Sequence, residues 1–273
     1  MELDVFHLFI WEPIFFEGTP FEINRVVLLM YFAAFMCVTF FLLGARRKAI
    51  VPKGMQNVAE TGYLFVKNNI AIDVIGPEGV KYAPYLATVF YFIFFSNLLE
   101  IFPGINFPVT SRMALPALLA LATWVYFNAV GFKHHGLGYL KETLFPPGVP
   151  KLIYIILTPI ELFSVFIIRP LTLAIRLFAN MMAGHVLLTV FFLFTEELIT
   201  GKAIGIPLGF VTFAVACLLM VFELMVILIQ AYIFTTLSAF YIAEALHGHG
   251  EESQETHDEA AAPAVRETEL QPA

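Results

Sequence analysis

Apolar residues in this chain gather into long unbroken runs rather than into the narrow stripes of half-buried surface helices. A helix needs about 20 apolar residues to cross a hydrocarbon core about 30 Å thick. The first run to meet that requirement is Val26 to Ala45, closed by Arg46, Arg47 and Lys48. Tyr82 to Ile101 stops at Pro103-Gly104, and Met113 to Phe132 stops at Lys133, His134 and His135. Residues 153–194 form a longer stretch, broken by Pro159, Arg169 and Pro170. Residues 203–246 exceed what one crossing uses, so this segment must tilt or project from the membrane. The pattern predicts an all-α integral membrane protein with five crossings, the last two long and tilted. Residues 58–75, interrupted by Lys67, Asn68 and Asn69, are only mildly apolar and predict a helix lying at the membrane surface.

Five crossings put the termini on opposite sides, and the Lys and Arg residues near the spans choose which. With the N-terminus outside, the inner side collects Arg46, Arg47, Lys48, Lys53, Lys67, Lys81, Lys133, Lys141, Lys151 and Arg266. The outer side then holds Arg25, Arg112 and Lys202. That bias of ten to three predicts an outer segment over residues 1–25, a membrane domain over 26–246 and an inner C-terminus. Residues 247–273 are rich in Ala, Glu and Pro with few large apolar side chains, so a disordered acidic tail is expected. His247, His249 and His257 could hold a metal, but a solvated tail explains them more simply.

Composition removes several alternatives. Hydrophobic residues make up 59% of the 273 and charged ones 14%, against about a half and about a quarter in soluble domains. Much of the net charge of −7 lies in the tail, where Glu251, Glu252, Glu255, Asp258, Glu259, Glu267 and Glu269 oppose Arg266 alone. No basic patch argues for nucleic acid. Cys37 and Cys217 sit inside separate apolar runs and read as small buried hydrophobes. The opening MELDVFHLFIWEP has no cationic segment ahead of its apolar residues, so no cleaved secretory signal is expected.

A few costly side chains remain at membrane depth: Glu100, Glu161, Arg169, Arg176, Asn180, His185, Glu223 and Gln230. Ionisable groups there cost about 2.5–3.5 kcal/mol each on insertion scales, so they normally face a cavity, a partner or an ion path. Glu100, Glu161 and Arg169 lie near the ends of apolar runs, where snorkelling to the interface is an equal alternative. Arg176, His185 and Glu223 have apolar turns on both sides. At about 100° per residue, Arg169, Arg176 and Asn180 share one helical face, and His185 points the opposite way. Glu223 and Gln230 share a face that Tyr241 and Glu244 continue. Imidazole and carboxylate exchange protons near neutral pH, whereas guanidinium does not. The arrangement reads as a proton path beside a fixed positive charge. Ala183 and Gly184 permit close helix approach at that depth.

At these residues the chain resembles a known family. RPLTLAIRLFANMMAGH, Arg169 to His185, is similar to the signature of subunit a of the bacterial F-type ATP synthase. LIQAYIFTTLSAFYIAEA, Leu228 to Ala245, resembles that family's last helix, and NLLEIFPG at 97–104 and FPVTS at 107–111 resemble its middle segments. The resemblance covers residues 25 to 246. It implies that Arg176 is the essential arginine facing a rotating ring of c subunits. Asn180, His185, Glu223 and Gln230 would line the half-channel open to the outer side, with Glu100 near its mouth. Glu161 would belong to the inner half-channel, and Tyr241, which continues the stripe of Glu223 and Gln230, is read with the proton path. Many bacterial relatives carry a carboxylate at the His185 position and histidine at the Glu223 position. The exchange predicts that His185 and Glu223 meet across the last two helices, within about 3 to 6 Å. One residue more than usual separates Glu161 from Pro170.

The implied partners are the c-ring, the peripheral-stalk b subunits and the rest of the ATP synthase. The implied place is the bacterial inner membrane, with no cofactor and no metal. With no P-loop, the chain is expected to make no ATP itself. Two rival classes are weaker. A secondary transporter without a rotor is favoured by internal repeats, and none is evident. An intramembrane metalloprotease needs a motif such as His-Glu-x-x-His, which the sequence lacks.

Overall fold

The computed structural model describes residues 23–46, 52–102, 105–136, 138–144, 153–201 and 205–247. Most of the expected outer segment (1–22) and almost all of the expected disordered tail (248–273) lie outside the described residues. In chain order the helices are α1 (Arg25–Ala45), α2 (Met55–Val66), α3 (Asp73–Ile75), α4 (Ala83–Leu98), α5 (Ala114–His135), α6 (Gly138–Leu144), α7 (Tyr154–Phe163), α8 (Arg169–Thr200) and α9 (Ile206–His247).

Local chemistry sets the ends of the crossings. Asn24 starts α1 by accepting the Val27 N–H on its side-chain oxygen at 3.0 Å. Gly136, with φ of +58°, stops α5 in a conformation that glycine adopts without steric cost. Among the described residues, four helical stretches are long and apolar enough to cross a membrane: Arg25–Ala45, Ala114–His135, Tyr154–Thr200 and Ile206–His247. The fifth, α4, is the short one. Its last turn tightens, with Glu100 N–H on Asn97 O at 3.0 Å and Ile101 N–H on Leu98 O at 3.2 Å, so the helix ends before the expected Ile101.

The 42 residues of α9 extend roughly 63 Å at 1.5 Å per residue, about twice the hydrocarbon thickness. The expected surface helix appears as α2, a π-helical turn over Lys67–Ile72, and α3. Ala59, Val66, Ile70, Ala71 and Ile75 are buried on one face, and Glu60, Asn68, Asn69 and Asp73 are exposed on the other. That face packs against α1, α4 and α9, so the segment is built into the bundle.

A second π-helical turn, Ser164–Ile168, joins α7 to α8 within one 47-residue helical stretch. Such a turn accommodates one residue more than a regular α-helical turn. In it the Arg169 N–H reaches Ser164 O. The next donor in that pattern belongs to Pro170, which has none, so the Val165 carbonyl is left over. Trp124 of α5 supplies the missing donor, its indole N–H lying 3.0 Å from that oxygen. Inside a membrane domain this matters because no bulk water can satisfy the group.

The α8–α9 pair forms the centre of the bundle, flanked by α4 and α5. Every seventh residue from Gly209 through Ala216 and Glu223 to Gln230 is buried, which makes one continuous seam. Small residues on this seam and beyond it, including Ala231, Ser238 and Ala239, let the backbones approach. Thr235 and Ser238 donate their hydroxyls to Ala231 O and Phe234 O, both at 2.8 Å, and so satisfy themselves within the helix.

Candidate functional site

Three polar contacts and one close packing contact hold α8 and α9 in antiparallel register. At the start of α8, Arg169 donates two hydrogen bonds to Glu244, at 2.5 and 2.7 Å. Its guanidinium also lies 5.3 Å from the centre of the Tyr241 ring. Further along, Asn180 Nδ2 donates to Gln230 Oε1 at 2.6 Å. The Glu223 carboxylate then lies directly over Gly184, where any β-carbon would collide with it. Beyond that, Thr195 Oγ1 donates to Thr212 Oγ1 at 3.0 Å.

Arg176 stands between the first two of these contacts and differs from both. It is exposed, and its side chain makes no hydrogen bond or ion pair among the described residues. Ile175, Ala179, Ala183 and Leu187 continue the exposed flank around it. Arg169, predicted to share that face, is instead turned into the hairpin by Glu244, with both side chains 16% exposed. Of the two arginines, one is neutralised and one is bare.

His185 lies on the opposite side of α8, as its spacing predicts, and is 7% exposed. Its Nδ1 is 3.4 Å from Glu100 Oε1, and its ring packs edge-on against Phe107 at 5.4 Å. Glu100, carried in by the tight turn after α4, is thus one carboxylate beside His185. Glu223 sits one residue away over Gly184, within electrostatic reach of Glu100. Glu100 is 4% exposed, so it does not snorkel.

A cavity of about 450 Å³ reaches this cluster, lined by Glu100, His185, Phe107 and Thr189 and running towards Arg25 and Glu196. At that end Arg25 Nη2 donates to Ile105 O at 2.9 Å and holds the loop in place. Glu100, Glu223, Gln230, Ser96 and Asn97 each keep a buried polar atom without a hydrogen-bond partner among the described residues. Such atoms have room in their hydrogen bonding for a water molecule.

The remaining expected residues fall outside this cluster. Tyr241 lies at the Arg169 end and packs on Phe127, with ring centres 5.5 Å apart. Glu161 is half-buried on α7, and its side chain makes no hydrogen bond or ion pair among the described residues. Sequence reasoning passed over Arg25, Trp124 and the buried pair Asn97–Thr110, whose hydroxyl donates to the amide oxygen. The polar dipeptide Ser96-Asn97 inside an apolar run was the available signal for the last.

These features define an all-α, multi-pass membrane protein in which a long antiparallel helix pair buries a ladder of polar side chains. The profile of the family described as ATP synthase A chain matches residues 26–243. The ATP synthase subunit a of Frankia alni is 43% identical over 260 residues, covering 94% of this chain and 89% of that one. That of a Parafrankia species is 44% identical, covering 90% and 84%. That of Rhodococcus erythropolis is 40% identical, covering 84% of each. The chain belongs to the ATP synthase subunit a family, and so to the membrane part of that complex.

Proposed function

We propose that this chain is the stator of the proton-driven rotary motor, with two offset half-channels separated by Arg176 and a ring of c subunits against the exposed flank of α8. The observation that carries this reading is the bare guanidinium of Arg176 on an apolar helical flank. An uncompensated charge facing lipid is costly, so a partner bearing the opposite charge must cover it. The c-ring carboxylate of the resembling family has that chemistry.

The outer half-channel is the cavity that runs from Arg25 to Glu100 and His185. Protons pass along Glu100, His185 and Glu223 towards Asn180 and Gln230 and reach a c-subunit carboxylate there. The neutral acid can turn into lipid, whereas the ionised form cannot without a large desolvation cost. The ionised form stays by Arg176 until it is reprotonated, and the arginine's charge keeps hydronium from passing directly between the half-channels. Glu161 and Tyr241 serve the inner half-channel. Each charge moved gains about 2.3 kcal/mol per 100 mV, so several protons are needed per ATP. The peripheral-stalk b subunits hold the chain against rotation, and nucleotide chemistry belongs to other subunits. The N-terminus lies outside the bacterial inner membrane and the acidic tail inside.

The test is ATP-driven acidification of inverted vesicles carrying Arg176→Ala, with the assembled complex quantified alongside. Abolished pumping with increased passive proton leakage is expected, and Arg176→Lys should restore little, since an ammonium offers one point contact and is more strongly hydrated. Normal pumping by the alanine variant overturns the reading.

A further inference from the structure

Two arginines stand on α8 two turns apart, about 10 Å along the axis, yet only one of them is bare. Arg169 is held by both carboxylate oxygens of Glu244, at 2.5 and 2.7 Å, and lies over the Tyr241 ring. We propose that Glu244 is a positioning residue that keeps Arg169 electrically silent, so that α8 presents a single cation, Arg176, to its rotating partner. The inference rests on the stator reading of Arg176 given above.

A lone unit charge about 10 Å away, at an effective dielectric constant of about 20, alters a carboxylate's proton equilibrium by about one pH unit. A bare Arg169 would therefore create a second resting place for the ionised rotor carboxylate, nearer one end of the helix pair. It would also make that carboxylate harder to reprotonate. The bidentate pair removes both effects, because a compact ion pair acts at that distance only as a dipole. The charged and titratable groups around the pair include Tyr241 on α9, Tyr139 on α6 and Arg176 on α8. His135 at the end of α5, 2.8 Å from Leu246 O, lies close by along α9. Tyr139 donates its hydroxyl to Asn128 Oδ1 at 3.4 Å.

The experiment compares Glu244→Gln, Arg169→Gln and the double variant in assembled ATP synthase in inverted vesicles. Acidification is measured per assembled complex as a function of the pH of the proton-uptake side. For Glu244→Gln, the expected result is a loss of roughly tenfold and an acid shift of about one unit in the pH of half-maximal pumping. The double variant, which restores neutrality without the pair, should return to within about twofold of the parent and to its pH profile. A packing role alone would lower assembly without moving the pH profile. Parental rate and profile in Glu244→Gln overturn the inference, and so does a double variant no better than the worse single one. If Glu244→Gln does not assemble, the charge-reversed pair Arg169→Glu with Glu244→Arg decides. Recovery with the parental profile supports the inference, and a shifted profile or no recovery overturns it. Pumping by Arg176→Ala would instead overturn the stator reading itself.

Discussion

The carboxylate of Glu223 on α9 occupies the space that a β-carbon on Gly184 of α8 would need. Glycine at 184 is thus required by an acid on the opposite helix rather than by backbone conformation. It places that acid beside His185, which is 7% exposed. Gly184→Ala should push Glu223 out of line while leaving the helix intact, because alanine is a good helix former. Proton flux should fall roughly tenfold with normal assembly, a barrier change of about 1.4 kcal/mol. Unchanged flux per complex would show that the placement of Glu223 is not needed.

His185 and Glu100 should behave as one unit, because they lie 3.4 Å apart at the end of the same cavity. Glu100→Gln and His185→Leu are each expected to slow acidification of inverted vesicles. The double variant should be little worse than the poorer single one, since residues in one network are not additive. Losses that multiply would mean that the two act separately.

Trp124→Phe tests the latch on the π-helical turn. Phenylalanine keeps the apolar bulk beside Phe166, whose ring centre lies 5.7 Å from that of the indole, but removes the donor to Val165 O. A buried carbonyl left unsatisfied costs about 1–3 kcal/mol. The melting temperature of the detergent-solubilised complex should fall, and an unchanged value would mean that Val165 O finds another donor.

Orientation can be read by labelling. In a background lacking Cys37 and the exposed Cys217, single cysteines replacing Glu2 and Ser253 should react with impermeant reagents from opposite faces of the cell. The Glu2 position is expected to label from outside. Reaction of both from the same side would break the five-crossing topology.

The sequence alone determined which segments are long and apolar enough to cross, which costly side chains interrupt them, and that Arg176 and His185 point in opposite directions. Those properties are one-dimensional. Depth follows from apolar length, and facing follows from 100° per residue. The same arithmetic placed Arg169 with Arg176, and only the packed hairpin separated them by bringing Glu244 to one and leaving the other bare. It likewise brought Glu100, from the turn after α4, to 3.4 Å from His185, a contact that no helical periodicity could indicate. It also supplied Trp124 to a carbonyl stranded by one extra residue and Pro170. A periodic pattern says which face of a helix is polar, but not which neighbour will cover that face. That depends on the register of close-packed helices, which small residues such as Gly184 and Gly209 allow and which a single misplaced β-carbon would forbid.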